Sequence, residues 1–529
     1  MLRRLNVPAI EEKPANPAET RPRQLQELIA GLPHNNHRAA ARLLLDELEK
    51  LNRQAFPVDV RLTALELYRP TILNAVLGLS RQYCNQSLPL QETAKSQADL
   101  AQQLFIELAI GYKQAILTEE DRLFTIGDDN QLALLVQRAM DALGRLLRIH
   151  HLTYSAPPAG IWSELHLLYL HALQLSLQNL SVPDESEESS INRAYKHALL
   201  LSLANPSHLN SVDIERVIDY LDRFADLAQL HPLGIPEKSA GVFLIHLKTD
   251  APPIPLAKNS RDADARTDIL LITIELARQV HQHIKDLQAD SRPIILDLPN
   301  EAMVDQRYRD MLQHLLKQWG NPPKRIFQRA EKNSSTNLCV GMTALHFFLG
   351  EENSRTSKNL TSDATHVEVS FTNSPIDSGS AAMFKSARWV VVNESPGGLA
   401  LSASSLAHGN LRVGEILGLK PEHASQWGVA ILRWATNAEN GALQIGAQMI
   451  APTAKPVEIT TTDEPQHELA LLLPELTTLK QAATLVTTRG IYKPARTLRL
   501  NENGKTADIM LTRLVERTNN YERFQFSRL

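Results

Sequence analysis

The spacing of apolar residues changes once along this chain, and the change demands two different architectures. Between residues 23 and 232 apolar positions recur three or four apart, as one face of a helix requires, with Leu100–Lys113 and Leu132–His150 as clear stretches. A further helix is expected from Asn210-Ser211. Asp213 and Glu215 sit in its first turn, where the helix dipole favours negative charge, and Ile214, Val217, Ile218, Leu221, Phe224 and Leu227 carry its apolar stripe. Pro57, Pro70, Pro89, Pro157-Pro158, the acidic stretch Asp184–Ser190 and Pro206 are expected to break this region into helices of ordinary length, stacked as hairpins. Beyond Pro322-Pro323 the spacing shortens to two. Leu443, Ile445, Ala447 and Met449 alternate with Gln444, Gly446 and Gln448, the pattern of a strand with one buried face.

A chain of 529 residues is too long for one core, and these regimes predict a multidomain α+β protein. Residues 1–22 carry four prolines among mixed charges and are expected to form a disordered arm. An all-α helical domain follows at 23–232. A small α/β connector is expected at 233–320, with a strand at Gly241–Leu247 and helices at Asp264–Leu287 and Met303–Trp319. Residues 321–460 offer six short strands: Leu338–Phe348, Arg388–Val392, Gly398–Ser402, Arg412–Leu419, Gln426–Ala435 and Ala442–Ile450. The last two are joined across Asn440-Gly441, a strong hairpin signal. Six short strands with close turns predict a small closed barrel. The polar stretch 350–386 interrupts it as an insertion, in which Val367–Phe371 alternates like a hairpin arm. Residues 461–529 repeat the texture as an accessory β domain, with strands expected near Leu471–Leu473, Ala483–Thr488, Thr497–Leu500, Ala507–Val515 and Arg523–Phe526.

Several function classes drop out. A net charge of −4 argues against a chain that coats nucleic acid, whose affinity rests on neutralised phosphates. Cys84 and Cys339 are too few for a disulfide framework or a thiolate-rich zinc site. The start, Met1–Pro8, has charge but no apolar core, and no run of eighteen apolar residues follows, so neither a secretory signal nor a membrane span is expected. A cytoplasmic protein is the expectation. His281 and His283, like His150-His151, lack a full set of metal ligands and read as surface residues. His166 and His171 lie among leucines and read as packing residues. No phosphate loop, dinucleotide fingerprint or nucleophile elbow is present, so no catalytic residue, metal or cofactor is assigned and no enzyme is expected.

Two motifs carry chemistry. Lys324–Arg329 sets Arg325 and Arg329 four positions apart just before an apolar strand. Arginine presents a planar fork that matches the guanine O6/N7 edge and grips phosphate through two hydrogen bonds. Downstream, Asn393 precedes Ser395-Pro396-Gly397-Gly398 between the apolar runs Trp389–Val392 and Leu399–Leu401, a strand, tight turn and strand. Asn393 donates and accepts, Ser395 adds a hydroxyl, and Gly398 lets the backbone approach closely. Each motif alone is common, as a solvated helix face or a plain hairpin. Both in this order, followed by barrel strands, are not.

Arg325-x-x-x-Arg329 followed by Asn393-x-Ser395-x-x-Gly398 resembles the PilZ domain, a bacterial cyclic di-GMP receptor. Trp427–Trp434 and Ile445–Met449 resemble the closing strands of its barrel. The resemblance implies a six-stranded barrel on which Arg325 and Arg329 take guanine edges and phosphates of cyclic di-GMP. It further implies that Asn393 and Ser395 hydrogen-bond a guanine and that Gly398 leaves room for it. It implies a cytosolic receptor that relays second-messenger level to a protein partner through the helical half, in motility, attachment or biofilm control. Ligand would order the lead-in that holds the two arginines. The alternative is a ligand-free adaptor whose helical half binds a partner constitutively.

Overall fold

In the computed structural model the described residues are 2–12, 14–120, 129–185, 188–234, 240–256, 263–264, 266–288, 297–322, 330–361, 384–395, 397–403, 410–437, 442–461, 467–476, 481–518 and 520–529. They form two units, one built from residues up to 324 and one from 325 onward, with residues 87–89 and 207–210 counted in the second.

The first unit opens with α1 (Pro22–Ala30), α2 (His37–Asn52), α3 (Val58–Tyr83), α4 (Glu92–Glu120), α5 (Asp129–Leu152) and α6 (Ile161–Gln174). A two-residue ladder, β1 (Val182–Pro183) with β2 (Glu188–Ser189), leads into α7 (Ile191–Leu203) and α8 (Ser211–Phe224). Local chemistry sets several starts. Asn36 accepts from the Ala39 amide to cap α2, and Ser190 caps α7 through the Arg193 amide. Pro70 does not break the helix expected to end there, because α3 runs through it. An interior proline costs about 3 kcal/mol, and the burial of Leu65, Tyr68, Ile72 and Ala75 on the same helix offsets it. The N-terminal arm is not loose either. Leu2 and Leu5 are buried, the Asn6 amide donates to Glu164, and Gln54 exchanges hydrogen bonds with Asn16 and Ala18.

Strands β3 (Gln229–Pro232), β4 (Val242–Ile245), β5 (Ile254–Pro255) and β6 (Ile269–Ile272) form an antiparallel sheet in the order β3-β6-β4-β5, followed by α9 (Ile274–Gln288), α10 (Asn300–Val304) and α11 (Gln306–Gly320). The helix expected over Asp264–Leu287 therefore begins later. Ile269–Ile272 is a continuous apolar run between two strands, and Thr273, whose hydroxyl bonds Gly241 O and Trp319 O, marks the switch to helix.

The second unit holds two closed six-stranded barrels. The first has β7 (Ala330–Val340), β8 (Ala387–Ser395), β9 (Gly398–Ala403), β10 (Ile416–Pro421), β11 (Gly428–Asn437) and β12 (Leu443–Ala451), closed in the order β10-β11-β12-β9-β8-β7. The second has β13 (Lys455–Thr461), β14 (His467–Leu473), β15 (Thr484–Thr487), β16 (Thr497–Glu502), β17 (Lys505–Arg517) and β18 (Glu522–Arg528), closed as β13-β14-β15-β18-β17-β16. β13, grouped by sequence with the first barrel, pairs only within the second.

Between β7 and β8 the chain makes a helix, α12 (Met342–Thr361), where a strand to Phe348 was expected. Gly341, at φ +89°, ends β7, and Leu345, Phe348 and Leu349 then recur at helical spacing. Leu345 is fully buried in an apolar cluster that contains Ile416, Val429 and Ile431 of the first barrel and Leu471, Val486 and Tyr521 of the second. The two barrels share this cluster through α12, and the second has a further one of its own around Ile459, Leu485 and Phe524. The segment Val367–Phe371 lies outside the described residues.

Candidate functional site

The turn that drew attention in sequence is a hairpin: Ser395 pairs with Gly398, Glu394 with Leu399 and Asn393 with Ala400. Ser395 Oγ donates to Gly398 O at 3.3 Å, tying the turn across itself. Pro396 lies outside the described residues. Gly398 is required by crowding. A Cβ there would stand 2.3 Å from Ala447 O and 3.1 Å from Gln448 Cα, so no side chain fits against β12.

Backbone irregularities shape the ground around Asn393. Trp389 and Val391 alternate inward, but a bulge at Val392 breaks the register before Asn393, which ends half-buried. The facing ladder of β7 is bulged as well, between Glu331 and Ser334. A third bulge, at Arg433 of β11, falls between the pairs Leu432–Ala447 and Trp434–Gly446. A bulge adds one residue to one strand and re-aims its side chains, which is why such features gather beside binding sites.

The result is a concavity of about 210 Å³ that brings together Asn393, Ser395 and Gly398 with Arg433, Trp434 and Gln448. A second, of about 480 Å³, shares Asn393 and adds Glu331, Lys332, Val390 and Val392. Among the described residues the Asn393 carboxamide has no hydrogen-bond partner, while Lys332 pairs with Glu394 next to it. Trp434 lies on Gly446, where an added Cβ would meet its indole nitrogen at 1.8 Å. Sequence reasoning did not select Arg433 and Trp434, which line this concavity. The signal was one cation within an otherwise apolar strand, Gly428–Ala435.

Arg325 and Arg329 lie outside the described residues. The described chain resumes at Ala330, whose Cα partner on β8 is Glu394, and Glu331 is paired with Asn393. The strand that follows the arginine motif thus begins beside the turn.

Three family models cover the chain in succession. The one described as the N-terminal domain of the cyclic-di-GMP receptor FimW matches residues 23–237, and the one described as its middle PilZ domain matches 242–382 and 353–456. The model described as the FimW C-terminal beta-barrel domain matches 453–529. The middle of the chain thus matches a PilZ domain, flanked by matches to the other two FimW domains. The curated protein "Cyclic-di-GMP receptor FimW" of Pseudomonas aeruginosa is 29% identical, over 99% of this chain and 93% of that protein. The middle match contains every strand of the PilZ barrel, β7 to β12, and the C-terminal match contains the second barrel from β13 on.

Away from the PilZ barrel, the histidines read as surface groups need correction. His283 is buried, with Nδ1 against Tyr220 OH at 3.0 Å and Nε2 against Gln279, and His150 is buried on α5. An amphipathic helix repeats near every fourth residue, and His283 falls on the stripe of Leu276, Val280 and Leu287. His166 is fully buried. Its Nε2 donates to Ala251 O at 2.9 Å, since a carbonyl only accepts, and Nδ1 accepts from Tyr195 OH at 2.7 Å. Burial pushes its pKa down to about 4, and the ring is neutral. Among the described residues no group of three or more His, Cys, Asp or Glu is placed to hold a metal, and no helix is long and apolar enough to cross a membrane.

Proposed function

We propose that this protein is a receptor for cyclic di-GMP, held on the PilZ barrel by Arg325 and Arg329 from one side and by Asn393, Ser395 and Gly398 from the other. The observation that carries the reading is the β7–β8 ladder, which sets Ala330 against Glu394 and Glu331 against Asn393. In sequence Arg329 directly precedes Ala330, the residue at which β7 begins opposite Glu394, so the strand that follows the arginine motif starts beside the turn. Arginine forks supply donors for phosphate oxygens and for the guanine O6/N7 edge. The Asn393 carboxamide, without a hydrogen-bond partner among the described residues, both donates and accepts, as a guanine edge requires. Each charge-assisted contact contributes about 1.5–3 kcal/mol, and three or four of them, less the cost of ordering, give roughly micromolar affinity.

In this reading the protein binds and reports the nucleotide without turning it over, and its helical unit meets a protein partner, with motility or surface attachment as the output. The similarity along the whole chain to a protein named as a cyclic-di-GMP receptor supports the ligand. Isothermal titration of the full chain with cyclic di-GMP tests it. Binding with a dissociation constant near micromolar is expected, lost in the Arg325→Ala/Arg329→Ala double variant. Heats indistinguishable from dilution for the unmodified protein would refute the assignment.

A further inference from the structure

The second barrel has no part in the reading above, yet it delivers a charged side chain to the edge of the first. Glu516 of β17 accepts a hydrogen bond from Arg433 Nη2 at 2.5 Å, and Gln448 of β12 accepts from Arg433 Nε at 2.6 Å. Arg433 also lines the concavity that holds Asn393 and Ser395. Two of its three guanidinium nitrogens are thus fixed by strands of different barrels. Among the described residues Nη1 has no acceptor.

The hold is firm for two reasons. The side chains of Arg433 and Glu516 are 34% and 22% exposed, so solvent screens the pair only in part. The segment of the second barrel just beyond Glu516 is itself anchored in the first. Thr518 Oγ donates to Gly414 O at 2.9 Å, and Tyr521 is fully buried in the core the barrels share. Glu516 cannot drift from Arg433 without disturbing that core. A guanidinium oriented in advance loses less freedom on binding, and its remaining N–H groups suit an acceptor-only partner such as a phosphate oxygen.

We propose that Arg433 is a third arginine of the dinucleotide site, directed at a phosphate oxygen, and that Glu516 of the second barrel is its positioning residue. This rests on the assignment of cyclic di-GMP to the PilZ barrel, and it gives the second barrel a share in ligand affinity. It requires that Glu516 act only through Arg433, which a double-mutant cycle reads directly.

The experiment is titration of the full chain with cyclic di-GMP for the unmodified protein, Arg433→Ala, Glu516→Gln and the pair together, with melting followed for each. Arg433→Ala is expected to weaken binding about 10- to 100-fold, and Glu516→Gln about 3- to 10-fold. Added to Arg433→Ala, Glu516→Gln is expected to change affinity no further. Arg433→Lys, which lacks the planar fork, is expected to restore little. Unaltered affinity in Arg433→Ala, or a Glu516→Gln loss that persists without Arg433, overturns the proposal while leaving the receptor reading intact. A full chain that takes up no cyclic di-GMP at all overturns both.

Discussion

In the helical unit a carboxylate, Asp141, is wedged between Arg69 at 3.1 Å and Arg145 at 2.8 Å, and Asp184 and Glu66 extend the chain of charges through Arg138. In the barrel unit the corresponding interior is apolar, with Leu345, Val429, Ile431, Leu471 and Val486 packed around α12. One unit sets buried ions and neutral imidazoles beside its apolar core, whereas the cluster around α12 in the other is apolar. Buried pairs add little net stability but cost a great deal when half removed, whereas an apolar core fails in proportion to the volume taken out.

The sharpest way to break this comparison is Asp141→Asn. Burial pushes that carboxyl up, but Arg145 and Arg69 outweigh it and hold it well below the usual range, so it is ionised at neutral pH. Removing its charge takes away the carboxylate that Arg69 and Arg145 share and leaves them only Asp184 and Glu185, so a loss of about 3 kcal/mol is expected in the helical unit alone. Hydrogen exchange resolved by segment should show α3 to α5 opening while β7 to β18 keep their protection. Leu345→Ala is the mirror test, with about 2–5 kcal/mol lost. Both barrels should soften together and the helices should not. If the second barrel keeps its protection, the shared core is the wrong description.

Acid sharpens the contrast. Burial depresses His166 to about 4, and burial together with Arg148 and Arg193 depresses His197 to about 3. Both lie below the value near 6.5 of an unfolded histidine, so below that pH the unfolded chain binds protons that the folded one refuses. The stability they contribute is complete above pH 6.5 and drains as pH falls toward 4, by up to about 3 kcal/mol for His166. His150 and His151, both pushed down to about 4 by burial, act in the same direction. Circular dichroism at 222 nm between pH 7 and 4.5 should show helix lost first. The smallest effect is expected at Arg388, which is exposed together with its partner Glu422. Arg388→Ala should leave melting of the barrel unit unchanged within error.

Much of this fold was legible because periodicity is physical. The switch from helical to alternating spacing near Pro322 separates the helical elements from the barrels, and the Ser395–Gly398 hairpin followed from turn chemistry. What escaped depended on tertiary partners. Pro70 reads as a break until Tyr68 and Ile72 are seen to be buried around it. Leu338–Phe348 is an apolar run that suits either state, and only Gly341 with a positive φ divides strand from helix. The candidate site was half legible. The motif brings Asn393, Ser395 and Gly398 to one turn, while Arg433 and Trp434 reach the same concavity through a bulge, which hydrophobic pattern does not encode.

The helix that fills the space between the barrels bears on how such proteins are assembled over evolutionary time. A splice between Ala451 and Lys455 respects every strand, yet it deprives Leu345 and Leu349 of one wall of their surroundings. Recombination that swaps either barrel for an unrelated module should therefore yield insoluble products, whereas a joint upstream of Ala330 leaves both walls in place.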